Sequence, residues 1–114
     1  MRIPEQGDIL TLEFDPQSGH EQRGRRPAVV VSNNTFNKFT NLAMVCPITS
    51  TNRAFPLHVP LDDRTTTTGV IMCEQVKSLN LSARNAAFKE KAPSDIIEEV
   101  VDIINGFVEI KKPE

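Results

Sequence analysis

No apolar run in this chain approaches the ~18 residues that a bilayer-spanning helix needs. Residues 1–8 lack the apolar core of a secretory signal, so a soluble, cytoplasmic protein is expected. Cysteine is scarce: Cys46 and Cys73 each sit inside an apolar, strand-like run. Two buried free thiols fit that placement better than a disulfide. Metal-ligand spacings are missing. His20 and His58 stand far apart, and no HxxxH or CxxC pattern occurs, so neither a metal nor another cofactor is expected. There is no GxGxxG fingerprint, no Walker loop and no nucleophile elbow. Nor is the chain basic: its net charge is −2 and its pI about 5.7. A protein that binds nucleic acid with its whole surface is usually basic. Any such contact here must be a local patch.

What is present is a concentrated basic loop. Residues 19–27 read GHEQRGRRP, with Arg23, Arg25 and Arg26 beside His20 and Glu21. Guanidinium forks suit phosphate oxygens, and His or Glu can carry protons near neutral pH. Cations beside proton carriers are the equipment of phosphodiester cleavage. Solvated charge is the competing reading, with Glu21 merely pairing with Arg23 or Arg25.

The 114 residues make one domain, 1–114, with no repeat or linker. Residues 8–14 (DILTLEF) alternate as a strand with one face on the core. Residues 27–32 (PAVVVS) are apolar and β-branched, as in a buried central strand. Residues 33–39 allow one short helical turn. Residues 42–49 (LAMVCPIT) form a third strand, which should bulge or lie on an edge at Pro47, since proline donates no ladder hydrogen bond. Residues 57–61 make a fourth. Residues 70–73 start a fifth that can continue through 75–79, and residues 86–90 allow a short sixth. Then the period changes. Pro93 and Asp95 suit a first helical turn, and Ile96, Ile97, Val100, Val101, Ile104, Phe107 and Val108 recur at helical spacing. A helix to about Glu109 should cover one mouth of the sheet. Short antiparallel strands and one terminal helix indicate a small, strongly bent barrel.

Two further clusters could carry chemistry. Thr49, Ser50, Thr51 and Arg53 follow the third strand. A hydroxyl there can bond a phosphate if the basic loop folds over it, or it simply ends the strand. Glu74, Gln75 and Lys77 would alternate along the fifth strand, one set lining a groove. Lys77 is a phosphate contact or an ordinary surface lysine. Phe55 can stack on a base or meet a partner protein. His58 reads as surface. The threonine run 65–68 reads as a mobile polar loop.

These stretches, in this order, resemble the MazF/PemK (Kid) toxins of bacterial toxin–antitoxin modules. The matching residues are Gly7-Asp8, Phe14-Asp15-Pro16, Gly19-His20-Glu21-Gln22, Arg26-Pro27-Ala28-Val29-Val30, Pro47-Ile48-Thr49, Gly69-Val70 and Glu74-Gln75-Val76-Lys77-Ser78. The GHEQ form looks closest to the PemK/Kid and ChpB branch. The resemblance implies a mainly β, SH3-like small barrel of the CcdB/MazF/Kid type, with a C-terminal helix. It implies a homodimeric mRNA interferase. Single-stranded RNA would be cut without metal, in a sequence-selective way, to a 2′,3′-cyclic phosphate and a 5′-hydroxyl. An acidic MazE/PemI-like antitoxin would block the groove, and the complex could bind DNA through that antitoxin. Arg26, Thr49, Glu21 and His20 match the family's catalytic positions. Arg23, Arg25, Ser50, Arg53, Phe55, Thr68, Glu74, Gln75 and Lys77 would contact RNA. Kid-type members carry an arginine and an aspartate where this chain has Met72 and Glu74. In those members the pair is the proposed acid and base. Glu74 can still act as a base, whereas Met72 cannot be an acid or stabilise charge, and Met72 alone supports a third reading, a binding module without activity.

The alternative from the same fold is a gyrase-binding toxin like CcdB. The Arg26-Pro27 and Pro47-Ile48-Thr49 motifs belong to the nuclease branch. CcdB-like toxins also depend on a C-terminal aromatic, whereas this chain ends Lys111-Lys112-Pro113-Glu114. RNA sequence preference should reside in residues 52–56 and 64–69.

Overall fold

A strand buried on both faces organises the domain. β1 (Asp8–Glu13) lies between β2 (Arg25–Val30) and β7 (Ala87–Lys91), antiparallel to both. The computed structural model describes residues 3–14, 25–51 and 55–113. Ile9 and Val29 point into one core, with Cys46, Ile71 and the helix residues Ile96, Ile97 and Val100. Leu10, Leu12 and Val30 point into a second core on the opposite face, with Val45, Leu79 and Leu81. The expected one-sided β1 is therefore corrected: its first half is covered on both sides. Each fully buried Val, Leu or Ile contributes about 1.5–3 kcal/mol relative to exposure. Two cores let a small domain collect many such contributions.

The sheet order is β4-β5-β3-β2-β1-β7, with β6 pairing β3 off this path. The remaining elements are α1 (Asn34–Thr40), β3 (Ala43–Thr49), β4 (His58–Pro60), β5 (Val70–Met72), β6 (Lys77–Leu79) and α2 (Ser94–Val108). Every pairing among the described residues is antiparallel. Among the described residues seven strands replace the expected five or six. The continuous strand expected over residues 70–79 is broken. A 3₁₀ turn, Cys73–Gln75, intervenes and closes with Val76 N–H on the Cys73 carbonyl at 3.2 Å. Cys73 is fully buried there, so the chain turns to seat it and then restarts as β6.

Pro47 does not lie on an edge strand. It pairs with Ala28 on the β2 side. On the other side β3 changes partners, from β6 opposite Ala43–Val45 to β5 opposite Ile48 and Thr49. Pro47 occupies the gap between the two partners, where a missing N–H costs no ladder bond.

α2 begins with Pro93 at its N-cap and Asp95 in its first turn, as the composition of that segment leads one to expect. It packs on the turn at Cys73–Gln75 and on β4. Cys46 and Cys73 are free, buried thiols. Burial pushes both up, Cys73 to about 11, which leaves them poor nucleophiles. No helix among the described residues is long and apolar enough to cross a membrane.

β4 and β7 end the main strand path, and a side-chain clasp joins those two ends. Glu90 on β7 accepts four hydrogen bonds from the loop between β4 and β5. The donors are Thr66 N–H at 3.0 Å, Thr66 Oγ1 at 2.9 Å, Thr67 N–H at 2.8 Å and Thr67 Oγ1 at 2.7 Å. Thr65 and Thr67 are buried. The threonine run read as a mobile loop is instead an anchored one. Arg64 reinforces it, donating to both Asp62 and Asp95. Asp8, fully buried, takes Lys91 Nζ at 2.8 Å and fixes β1 to β7.

Candidate active site and RNA groove

The end of β3 carries the site. At Thr49 the strand stops, and the Thr49 hydroxyl oxygen accepts the Thr51 N–H at 3.2 Å. Threonine favours such short turns because its side chain reaches the backbone two residues on. The capping role and a functional role are thus compatible, since the Thr49 O–H proton stays available to a ligand oxygen.

On one side of Thr49 lies an open groove of about 540 Å³. Its walls include Arg25, Arg26, Thr49, Ser50, Thr68 and Lys89. β2 delivers the arginines: Leu12 faces Arg26 and Glu13 faces Arg25 across the β1–β2 ladder. The Arg25 guanidinium is committed to β1, donating to the Thr11 carbonyl at 2.8 Å and Thr11 Oγ1 at 3.0 Å. Arg26 is exposed, and no described residue bonds its guanidinium. Among the described residues, Arg25, Arg26 and Lys89 thus line a groove floored by hydroxyls.

The Glu90 clasp shapes the opposite wall. Burial alone raises a carboxyl pKa, but the hydrogen bonds from Thr67 and Thr66 outweigh it and hold Glu90 down to about 2. The carboxylate is spent on the threonine loop, so it is an anchor for the wall.

On the other side of Thr49 lies a second pocket of about 580 Å³. Phe55, His58, Met72, Glu74 and Gln75 line it, and Thr49 and Thr51 belong to both cavities. His58 Nε2 stands 3.1 Å from Glu74 Oε2, and the His58 side chain is only 9% exposed. The surface reading of His58 is therefore corrected. β4 pairs with β5 so that His58 faces Met72, and the turn after Met72 swings Glu74 back over the imidazole. Phe55 meets the His58 ring edge-on, 4.9 Å between centroids.

Most of the residues singled out from the sequence and described here converge on these two cavities: Arg25, Arg26, Thr49, Ser50 and Thr68 in the first, Phe55, Glu74 and Gln75 in the second. Lys77 is not brought to either. β6 pairs with the far end of β3, and the Lys77 ammonium sits 5.5 Å from the Phe14 ring centroid. His20, Glu21, Arg23 and Arg53 lie outside the described residues.

Two open cavities meeting at a strand end, only one of them lined by lysine or arginine among the described residues, suit an extended polyanion with bases. A model of the PemK-like, MazF-like toxins of type II toxin–antitoxin systems matches residues 5–108. The chain belongs to this family.

It is 38% identical to endoribonuclease PemK of Escherichia coli over 101 residues, 85% of this chain and 76% of that protein. It is 34% identical to endoribonuclease toxin MazF of Escherichia coli (strain K12) over 106 residues, 93% and 95% of the two chains. A crystal structure of MazE-MazF from Deinococcus radiodurans superposes with a TM-score of 0.84 at 33% identity, covering 94% of this chain and 97% of that one. The mainly antiparallel fold with a C-terminal helix is thus the fold of MazF toxins.

Against this PemK/MazF-like background, sequence reasoning overlooked Lys89, the Glu90 clasp and His58. Lys89 gave no local signal, because β7 (AFKEK) does not alternate and both Phe88 and Lys89 are exposed. Glu90 and His58 gave none, because their partners lie 23–24 and 16 positions away.

Proposed function

We propose that this chain is an endoribonuclease toxin that cleaves single-stranded RNA, with the scissile phosphate held between Arg26 and Thr49. The carrying observation is the convergence of Arg25, Arg26 and Lys89 on the hydroxyl-lined groove at Thr49 in a protein of net charge −2. Its relatives PemK and MazF are named endoribonucleases.

The reaction is an internal transfer. The RNA 2′-oxygen attacks the adjacent phosphorus, the 2′-O–P bond forms and the P–O5′ bond breaks. One proton leaves the 2′-hydroxyl and one reaches the departing 5′-oxygen. The products are a 2′,3′-cyclic phosphate and a 5′-hydroxyl. Negative charge grows on the non-bridging oxygens in the transition state. The Arg26 fork stabilises that state more than the ground state, which is what accelerates a step. The Thr49 O–H donates to a non-bridging oxygen. Arg25, tied to Thr11, and Lys89 hold flanking phosphates. His20 and Glu21 are the proposed proton carriers. No metal enters this scheme. DNA is excluded as a substrate because the nucleophile is the 2′-hydroxyl.

An acidic MazE/PemI-like antitoxin segment would occupy the same cationic groove, and MazE-MazF complexes are among the structural relatives. We assign the working state as a cytoplasmic homodimer, whose two-fold axis would extend the groove across both subunits. DNA binding by the toxin–antitoxin complex would fall to the antitoxin, and no residue of this chain is assigned to it. A gyrase-binding role is not favoured, given the names of the relatives.

The test is direct. Purified protein is incubated with a long single-stranded RNA in EDTA, and the product ends are mapped. Discrete cuts ending in cyclic phosphate and 5′-hydroxyl support the assignment. Intact RNA overturns it.

A further inference from the structure

Among its described lining residues the second pocket has no lysine or arginine, unlike the first. Glu74 is its charged wall, beside Phe55, Met72 and Gln75. A carboxylate repels phosphate, so this pocket is unsuited to the RNA backbone. An aromatic ring, a thioether and a side-chain amide suit a flat heterocycle with polar edges. The pocket shares Thr49 and Thr51 with the cationic groove, so whatever fills it is joined to the phosphate beside Thr49.

We infer that this pocket receives a nucleobase carrying an exocyclic amino group, next to the scissile phosphate, and rejects uracil, with His58 fixing the Glu74 carboxylate as the reader. This rests on the ribonuclease reading above and adds the base class to it.

Hydrogen-bond accounting carries the argument. An ionised carboxylate only accepts. The 3.1 Å contact to Glu74 Oε2 therefore requires the proton on His58 Nε2. Nδ1 is buried and has no partner among the described residues. Buried polar atoms normally have partners, so among the described residues the placement of this ring is set by its other contacts. Here the ring is braced by Phe55 and spends its one useful donor on Glu74. That donor fixes Oε2 and leaves Oε1 as an acceptor for the occupant. Adenine, cytosine and guanine offer amino protons to such an acceptor, and carboxylates read cytosine N4 this way. Uracil offers only N3–H, flanked by two carbonyl oxygens that the carboxylate repels. His58 makes no contact with the base in this scheme, so it is a positioning residue.

Two measurements test the inference. First, cleavage of a randomised RNA pool is mapped for the native protein, Glu74→Gln, His58→Phe and His58→Gln. One position beside the cut should exclude uracil by at least roughly tenfold in the native protein. Glu74→Gln should lose that exclusion, because an amide can also donate to a uracil carbonyl. His58→Phe should weaken it, and His58→Gln, which restores an N–H donor, should recover part of it. Second, binding of 2′-O-methyl tetranucleotides differing at that one position is measured by fluorescence anisotropy. The native protein should prefer the amino-bearing bases, and Glu74→Gln should not. Uracil accepted equally by the native protein overturns the inference. So does a Glu74→Gln variant that loses cleavage at every site while its base preference and binding stay unchanged, which would place Glu74 on a reacting proton. If the native protein cuts no RNA, the ribonuclease reading fails. The binding arm then decides the pocket alone: a preference for amino bases sustains it and indifference ends it.

Discussion

The Thr49 carbonyl lies so close to Gly69 that a Cβ on the glycine would sit 2.1 Å from the oxygen and 2.8 Å from the carbon. Gly69 also adopts φ +119°, a backbone region that side chains rarely enter. The β5 strand thereby approaches the end of β3 at the residue assigned to the phosphate. Gly69→Ala should push the two apart. Strain at such a backbone position costs roughly 1–3 kcal/mol, and the clash adds to it. Denaturant unfolding should show that loss, and RNA cleavage should fall by more than the folded fraction does. A variant with native stability and native cleavage would refute this reading of the contact.

Arg26→Ala should reduce cleavage by roughly 10²–10³, the usual effect of losing one oriented charge stabiliser. The fold should persist, because the side chain is exposed. Arg26→Lys should recover little, since a point charge does not replace a planar fork. Single-turnover rates on a defined RNA measure both variants. Native rates in Arg26→Ala would remove Arg26 from the mechanism.

The Glu90 clasp predicts a pH dependence. Its carboxyl is held down to about 2, against an ordinary value of 4.5. A depressed acid contributes stability that is fully present above its unfolded pKa. That contribution shrinks as pH falls below about 4.5 and is gone below about 2. The difference in stability between the native protein and Glu90→Gln should therefore be constant at neutral pH and close between those limits. Unfolding measured across that range checks it, and a difference that grew on acidification would contradict the sign.

Among the described residues the groove cations are Arg25, Arg26 and Lys89, which set the electrostatic term considered for this groove. For single strands, log affinity falls with log salt by about 0.7 per neutralised phosphate, so a slope of roughly −2 per site is expected. Lys89→Ala should flatten it by about 0.7. An acidic antitoxin segment should compete for the same cations. Simultaneous, independent binding of RNA analogue and antitoxin segment would contradict a shared groove.

Local patterns made some elements legible and left others hidden. The apolar run after Pro27 and the helical spacing from Ile96 to Val108 each carry their own period, and both elements are present, the strand two residues earlier than the run alone suggests. The break at Cys73–Gln75 has no glycine or proline to mark it, and burial of Cys73 in the core decides it. Pro47 announced a missing hydrogen bond but not where the gap would fall, because that depends on which strands flank β3. Arg26 and Thr49 were legible as chemistry from residue type and from the family resemblance. That Thr49 divides two cavities was not, nor that the His58 side chain is largely covered and meets Glu74, because both arise from strand pairing across distant positions.

The central claim is that the RNA supplies its own nucleophile between Arg26 and Thr49. A short RNA containing one mapped cleavage site is compared with the same oligonucleotide carrying a single 2′-deoxy nucleotide 5′ to the scissile bond, both in EDTA. The account predicts that the all-ribose strand is cut and the substituted strand binds comparably but stays intact. Cleavage of the substituted strand at the same bond, or cleavage of either that requires added magnesium, would contradict it.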